Sequence, residues 1–155
     1  PVSGSKHPPT FVREWQGQVV DTLTTKERSE RMRRVRSRDT KPELELRRLI
    51  WALGYRYRKN RRDIVGHPDI AFSGRQLAIF LHGCFWHRHR CPRASTPRTN
   101  ALRWQQKFAR NTARDIEVAR ALRRLGWRVV VVWECETTPG RQARLRRRLH
   151  RLFHC

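Results

Sequence analysis

Acidic residues are scarce in this chain of 155 residues: 13 Asp and Glu stand against 36 Lys and Arg, for a formal net charge of +23. Such an imbalance argues against a cationic partner and points to a polyanion, with nucleic acid the first candidate and an acidic membrane surface a distant second. Most of the positive charge is Arg, which suits bidentate phosphate contacts, although a biased genomic base composition would raise the same count. Long hydrophobic runs are missing too. No stretch approaches the ~20 apolar residues of a membrane span, which excludes an integral membrane protein. Residues 1–22 contain no apolar segment of the kind a secretory signal needs. The expected compartment is therefore the cytosol, where the four cysteines (Cys84, Cys91, Cys135, Cys155) meet reducing conditions. Thiols clustered with histidines in that setting suggest metal binding over disulfides.

The length suits one domain with a single core. Residues 1–22, rich in Pro, Gly, Ser and Thr and without periodicity, read as a flexible arm before a single domain over 23–155. Thr24-Thr25-Lys26-Glu27 fits a capping box and predicts a basic helix to about Arg38, with Met32 as its largest apolar residue. Thr40-Lys41-Pro42-Glu43 opens a second helix over 41–53, with Leu46, Leu49, Ile50 and Leu53 on one face. Tyr55 to Arg58 alternates and reads as a strand. Residues 69–82 predict a β-hairpin around Ser73-Gly74-Arg75. The loop 83–97 is too dense in Cys and His to be regular. A helix over about 99–125 follows, with Val118, Leu122 and Leu125 as its core stripe. The β-branched run Trp127–Trp133 predicts a central strand covered on both faces. A last helix from Thr138-Pro139 puts Leu145, Leu149, Leu152 and Phe153 on one side. There is no internal repeat, and the order α-α-β-β-β-α-β-α predicts one α/β domain with a mixed sheet.

Cys84, His89 and Cys91 are spaced C-x4-H-x-C, and Cys135 ends the strong strand. Three N/S ligands from a loop and one from a neighbouring strand suffice for a tetrahedral zinc site, though incidental loop residues would give the same pattern. Cys155 at the terminus reads as a bystander. His82 and His87 flank the cluster and are open to proton transfer or to simple phosphate and water contacts. Asp69 follows Pro68 at a strand start, where a carboxylate can hold Mg2+ for phosphodiester hydrolysis. The segment 77–83 has no acid or Lys to complete a PD-(D/E)xK motif. Glu43 fits a cap. Trp104, Lys107, Asn111 and Asp115 share one helical face, either lining a nucleic-acid site or simply solvated. Phe85 and Trp86 either pack in the core or insert between bases.

These residues resemble the signature of the very short patch repair (Vsr) mismatch endonucleases. The likeness is carried by LHGCFWHRHRC (81–91), MRRVRSRDTKPELELRRL (32–49), GHPDI (66–70), KFARNTARD (107–115) and LGWRVVVVWEC (125–135), and it covers about 24–135. It implies a restriction-endonuclease-like α/β fold of the PD-(D/E)xK superfamily, a mixed sheet flanked by helices with a structural zinc site. It also implies a monomer acting at the nucleoid on double-stranded DNA that contains a mismatch, with no membrane partner. The implied reaction is Mg2+-dependent nicking 5′ of the thymine in T:G mismatches left by 5-methylcytosine deamination, with two catalytic Mg2+ and one structural Zn2+. By the same resemblance Asp69 and the backbone carbonyl of Leu81 hold Mg2+, so no second acid is needed. His87 activates water, Asp115 orients it, and His82 and Glu43 complete the polar shell. Cys84, His89, Cys91 and Cys135 hold zinc. Phe85, Trp86 and Met32 form an aromatic and apolar wedge, and Lys107 and Asn111 approach the mispair. Two other readings stay open: a restriction-type nuclease on matched DNA, and a non-catalytic zinc-containing DNA-binding module.

Overall fold

Helix α2 (Lys41–Ala52) sets one layer of the molecule, because its apolar face buries Leu46 and Ile50 completely. The computed structural model describes residues 24–33, 38–97 and 100–154, without the side chains of residues 25, 28, 31 and 32. The expected arm, the Met32 side chain, the chain just before Arg38 and Cys155 thus lie outside the described residues. The remaining elements are α1 (Thr25–Arg33), β1 (Arg58–Lys59), β2 (Ile70–Phe72), β3 (Leu77–His82), α3 (Ala101–Arg124), β4 (Arg128–Trp133) and α4 (Pro139–His154). The Thr24 capping box is formed, with the Thr24 N–H donating to Glu27 Oε2 at 2.8 Å and the Glu27 N–H to Thr24 Oγ1 at 3.3 Å. Among the described residues, no helix is long and apolar enough to cross a membrane.

The four strands form one mixed sheet in the order β1-β2-β3-β4. The pairs β1/β2 and β2/β3 are antiparallel; β3 and β4 are parallel and joined by the α3 crossover. Alternation along β3 sorts the core into two layers. Leu77 and Ile79 pack with Leu46 and Ile50 of α2 and Leu145, Leu149 and Phe153 of α4. Ala78 and Phe80 pack on the other face with Ile64, Val118 and Leu122. Each such Leu or Ile, fully buried, contributes about 1.5–3 kcal/mol.

Three expectations are corrected. Trp127–Trp133 does not yield a central strand: β4 is the edge of the described sheet. Its apolar run reflects helices on both faces, while Arg148 Nη2 donates to the Val131 carbonyl at 2.8 Å and occupies the open edge. The strand expected over 55–58 shrinks to Arg58–Lys59, because β2 offers only three residues to pair with. Tyr55 and Tyr57 still pack against the core, Tyr55 stacked on Phe153 with centroids 3.8 Å apart. Leu125 sits past the end of α3 and is 58% exposed, so it leaves the expected stripe.

The turn before Asp69 needs glycine. Gly66 has φ +76°, and a Cβ there would lie 2.2 Å from Val118 Cγ1. Gly66→Ala is therefore expected to cost about 2–4 kcal/mol, from the left-handed backbone and from overpacking against α3. A lower urea midpoint at unchanged m-value checks this.

Candidate active site and Cys/His centre

Asp69 stands one residue before β2 begins, at the point where β3 runs on without an antiparallel partner. Its Oδ2 accepts the Leu81 N–H at 2.7 Å, so a side chain replaces a ladder bond. The N–H and C=O of a strand residue project to the same edge, which turns the Leu81 carbonyl toward the Asp69 side. Burial pushes the Asp69 carboxyl above its ordinary range; the Leu81 N–H opposes this, and the charge of Glu43 adds to it. A carboxylate this costly to ionise alone favours a nearby cation. Hard cations prefer such oxygen donors, so a buried carboxylate beside a backbone carbonyl fits Mg2+.

Asp69 and Leu81 line a cavity of about 330 Å³ together with His82, His87 and Asp115. β3 delivers His82, the following loop His87 and α3 Asp115. The two imidazoles stack at 4.0 Å and 13°. His87 Nδ1 is hydrogen-bonded to Asp115 Oδ2, while His82 Nδ1 lies 3.9 Å from the same oxygen. Burial, with the adjacent His87, holds His82 down to about 4, so this ring stays neutral at physiological pH. The carboxylate fixes the proton of His87 on Nδ1 and leaves Nε2 able to accept another. The three side chains are also close enough to hold a metal ion.

Glu43 is drawn mainly into its own helix turn. Its Oε1 accepts the Thr40 hydroxyl at 2.9 Å, and its Oε2 accepts the Asp39 N–H at 3.0 Å and Arg47 Nη2 at 3.1 Å. It influences Asp69 through its charge, and it is not in the cavity wall.

The Cys84, His89, Cys91 and Cys135 ligand atoms lie within 4.8 Å of one another. His89 Nδ1 is 3.7 Å from Cys84 Sγ and 3.4 Å from Cys135 Sγ. Tetrahedral zinc with bonds of roughly 2.3 Å to sulfur and 2.0–2.1 Å to nitrogen needs an S···N separation of about 3.6 Å, so the donor set fits. Burial pushes Cys84 up to about 12 and raises Cys135 as well, which a divalent cation would reverse.

Two neighbours of the Cys/His centre lie in the 125–135 motif but were not expected to take part in a site. Trp133 stacks on His89 at 4.4 Å and meets His82 edge-on at 5.4 Å, joining the Cys/His centre to the histidine pair. Glu134 Oε2 accepts the Cys84 N–H at 3.3 Å, and its Oε1 accepts Arg93 Nη1 at 3.0 Å. Their sequence signal is their place in the LGWRVVVVWEC segment, directly before Cys135. Phe85 and Trp86 are half-buried beside Trp104 and Phe108, with Phe85 centroids 5.4 Å and 5.2 Å from those rings. Lys107 Nζ sits 4.6 Å over Trp86, and Asn111 Nδ2 donates to the Trp86 carbonyl at 3.1 Å. The expected face of α3 is thus organised around Trp86.

A mixed sheet flanked by helices, with a buried acid at a strand end and a carboxylate-bound histidine lining the same cavity, fits an α/β nuclease. The family model described as DNA mismatch endonuclease Vsr matches residues 20–93. The chain is 43% identical over 130 residues to the type II nicking enzyme V.XorIIP of Xanthomonas oryzae pv. oryzae, covering 83% of this chain and 96% of that one. Over 134 residues it is 41% identical to the type II nicking enzyme V.NmeAIP of Neisseria meningitidis, covering 86% and 94%. It is 39% identical over 117 residues to the DNA mismatch endonuclease Vsr of Escherichia coli K12, covering 76% and 75%. The chain belongs to the Vsr family of DNA endonucleases.

Proposed function

We propose that this endonuclease acts as a monomer on double-stranded DNA and nicks it 5′ of the thymine in a T:G mismatch, on a PD-(D/E)xK-type site. The observation that carries this reading is Asp69, bonded to Leu81 N–H and lining the same cavity as the His87–Asp115 pair. Asp69 and the Leu81 carbonyl would hold Mg2+, which when bound supplies Lewis-acid stabilisation of the phosphoryl charge. Nε2 of His87 takes the proton of the attacking water, and Asp115 stabilises the imidazolium that results. Neutral His82 stacks on His87 and keeps that ring in plane. Cys84, His89, Cys91 and Cys135 leave zinc no open position, so its role is to brace the loop that carries Phe85, Trp86 and His87. A mispaired step is less costly to distort, which favours wedging by Trp86 there.

Duplexes carrying each mismatch, and their fully paired versions, separate the possibilities. Nicking confined to the T strand of T:G supports the proposal; cleavage of matched DNA at the same rate points to a restriction-type enzyme. Trp86→Ala is expected to lower single-turnover nicking of T:G duplex by about ten- to hundred-fold, the value of one base–aromatic stack. Affinity for matched DNA and its salt slope should hold, since no charge is removed. Equal losses in both measurements would make Trp86 a packing residue of the Phe85–Trp104–Phe108 cluster.

A further inference from the structure

Helix α4 has no acidic residue, and it holds Arg141, Arg144, Arg146, Arg147, Arg148 and Arg151. Two of these are used locally: Arg148 pairs with Glu136 at 2.8 Å, and Arg141 Nη1 lies 3.4 Å from Cys135 Sγ. Arg144, Arg147 and Arg151 are exposed and follow one another at steps of three and four, so they form a stripe along one side of the helix. Among the described residues, no acid pairs with them.

The stripe faces away from the cleft. Leu145, Leu149 and Phe153 of α4 pack on the sheet face that carries Leu77 and Ile79. The cavity is lined by Phe80, His82 and Val129 on the opposite face, where α3 lies. A straight duplex held against α3 therefore leaves the α4 arginines unengaged. From Arg144 to Arg151 the helix rises about 10 Å, a length over which duplex DNA presents about six phosphate charges.

From this geometry we infer that α4 is a second DNA-binding surface, which holds the phosphate backbone of a separate duplex segment while the cleft holds the substrate. Duplex DNA is favoured over an acidic membrane because the apolar side of α4 is consumed by the core. An interfacial helix needs that side free to enter the bilayer. Guanidinium groups at helical spacing match repeated phosphates without reading sequence. The surface would let the protein pass between DNA segments without releasing the first. The inference rests on the cleft being the substrate site only in deciding which duplex is the second.

The test uses the full chain on an immobilised T:G duplex long enough for one molecule, without Mg2+, followed by a labelled matched duplex. Wild type is expected to retain the second duplex. R144Q/R147Q/R151Q should retain at least tenfold less, with a salt slope lower by about 2–3. R144K/R147K/R151K should restore capture, because a charge-based backbone contact does not need the guanidinium plane. Adding Mg2+ then reads nicking of the immobilised duplex, expected within about twofold for all three proteins. No capture by wild type, or equal capture by the Gln variant, overturns the inference. Binding of phosphatidylserine vesicles by wild type that is lost in the Gln variant, with duplex capture unchanged, also overturns it. Absence of nicking in all three, with capture intact, counts against the proposed reaction and leaves the α4 surface supported.

Discussion

Asp69→Asn is expected to reduce T:G nicking by at least about 1,000-fold while mismatch affinity stays within about threefold. Asparagine keeps an oxygen that can accept the Leu81 N–H, which Asp69 does now at 2.7 Å, so the junction of β2 and β3 survives. What disappears is the negative charge proposed to hold Mg2+. A Lewis acid on the phosphoryl oxygens is worth several kcal/mol in the transition state, and each 1.36 kcal/mol is a factor of ten in rate. Affinity comes mainly from Lys and Arg on phosphate, so losing an acid there cannot weaken binding much. The check pairs single-turnover rates across Mg2+ concentrations with binding measured without metal. A variant that nicks near the wild-type rate would transfer the metal-holding role to His82, His87 and Asp115, whose ligand atoms are also grouped. His87→Ala should likewise stop nicking, with Mg2+ binding at Asp69 retained.

Cys135→Ser is expected to release zinc and to lower the melting temperature by about 10 °C or more. Wild-type protein should hold about one zinc per chain. Cys135 follows closely on β4, whereas Cys84, His89 and Cys91 belong to the loop after β3, so the ion would tie two segments far apart in sequence. Structural zinc in small domains contributes about 10–16 kcal/mol of apparent binding energy, comparable with the roughly 5–15 kcal/mol of net stability of a domain. Even a quarter of that shifts the melting temperature of a domain of this size by about 10 °C. Removing zinc from wild type with a chelator should produce the same shift, and Cys155→Ser should not. Elemental analysis finding no zinc in folded, active protein would refute the assignment. Nicking should fall along with zinc, because Phe85, Trp86 and His87 lie between two of the proposed ligands.

Elements with local signals are legible in the amino-acid order alone. The Thr24 box, the apolar faces of α2 and α4, and the β2–β3 hairpin depend on neighbours within a turn or two, so spacing reveals them. Cys84, His89 and Cys91 lie within eight consecutive positions, so a candidate metal-ligand set is readable from their spacing. The long family signature contains Asp69, His87 and Asp115 and so marks them as candidates for one site. Features that depend on long-range pairing are set by the tertiary fold instead. Whether β4 is central or at the edge follows from its lateral partners, and an apolar run reports only that its faces are covered. Strand β1 is short because β2 is short, a fact absent from residues 55–58 themselves. The fold alone brings His87 against Asp115, 28 positions away, stacks His82 on His87, and sets Trp133 between His89 and His82. It also spends Glu43 on the first turn of α2 and turns the α4 arginines away from the cleft. Helical and strand periods say which residues share a face, but only packing against the rest of the chain says what that face meets.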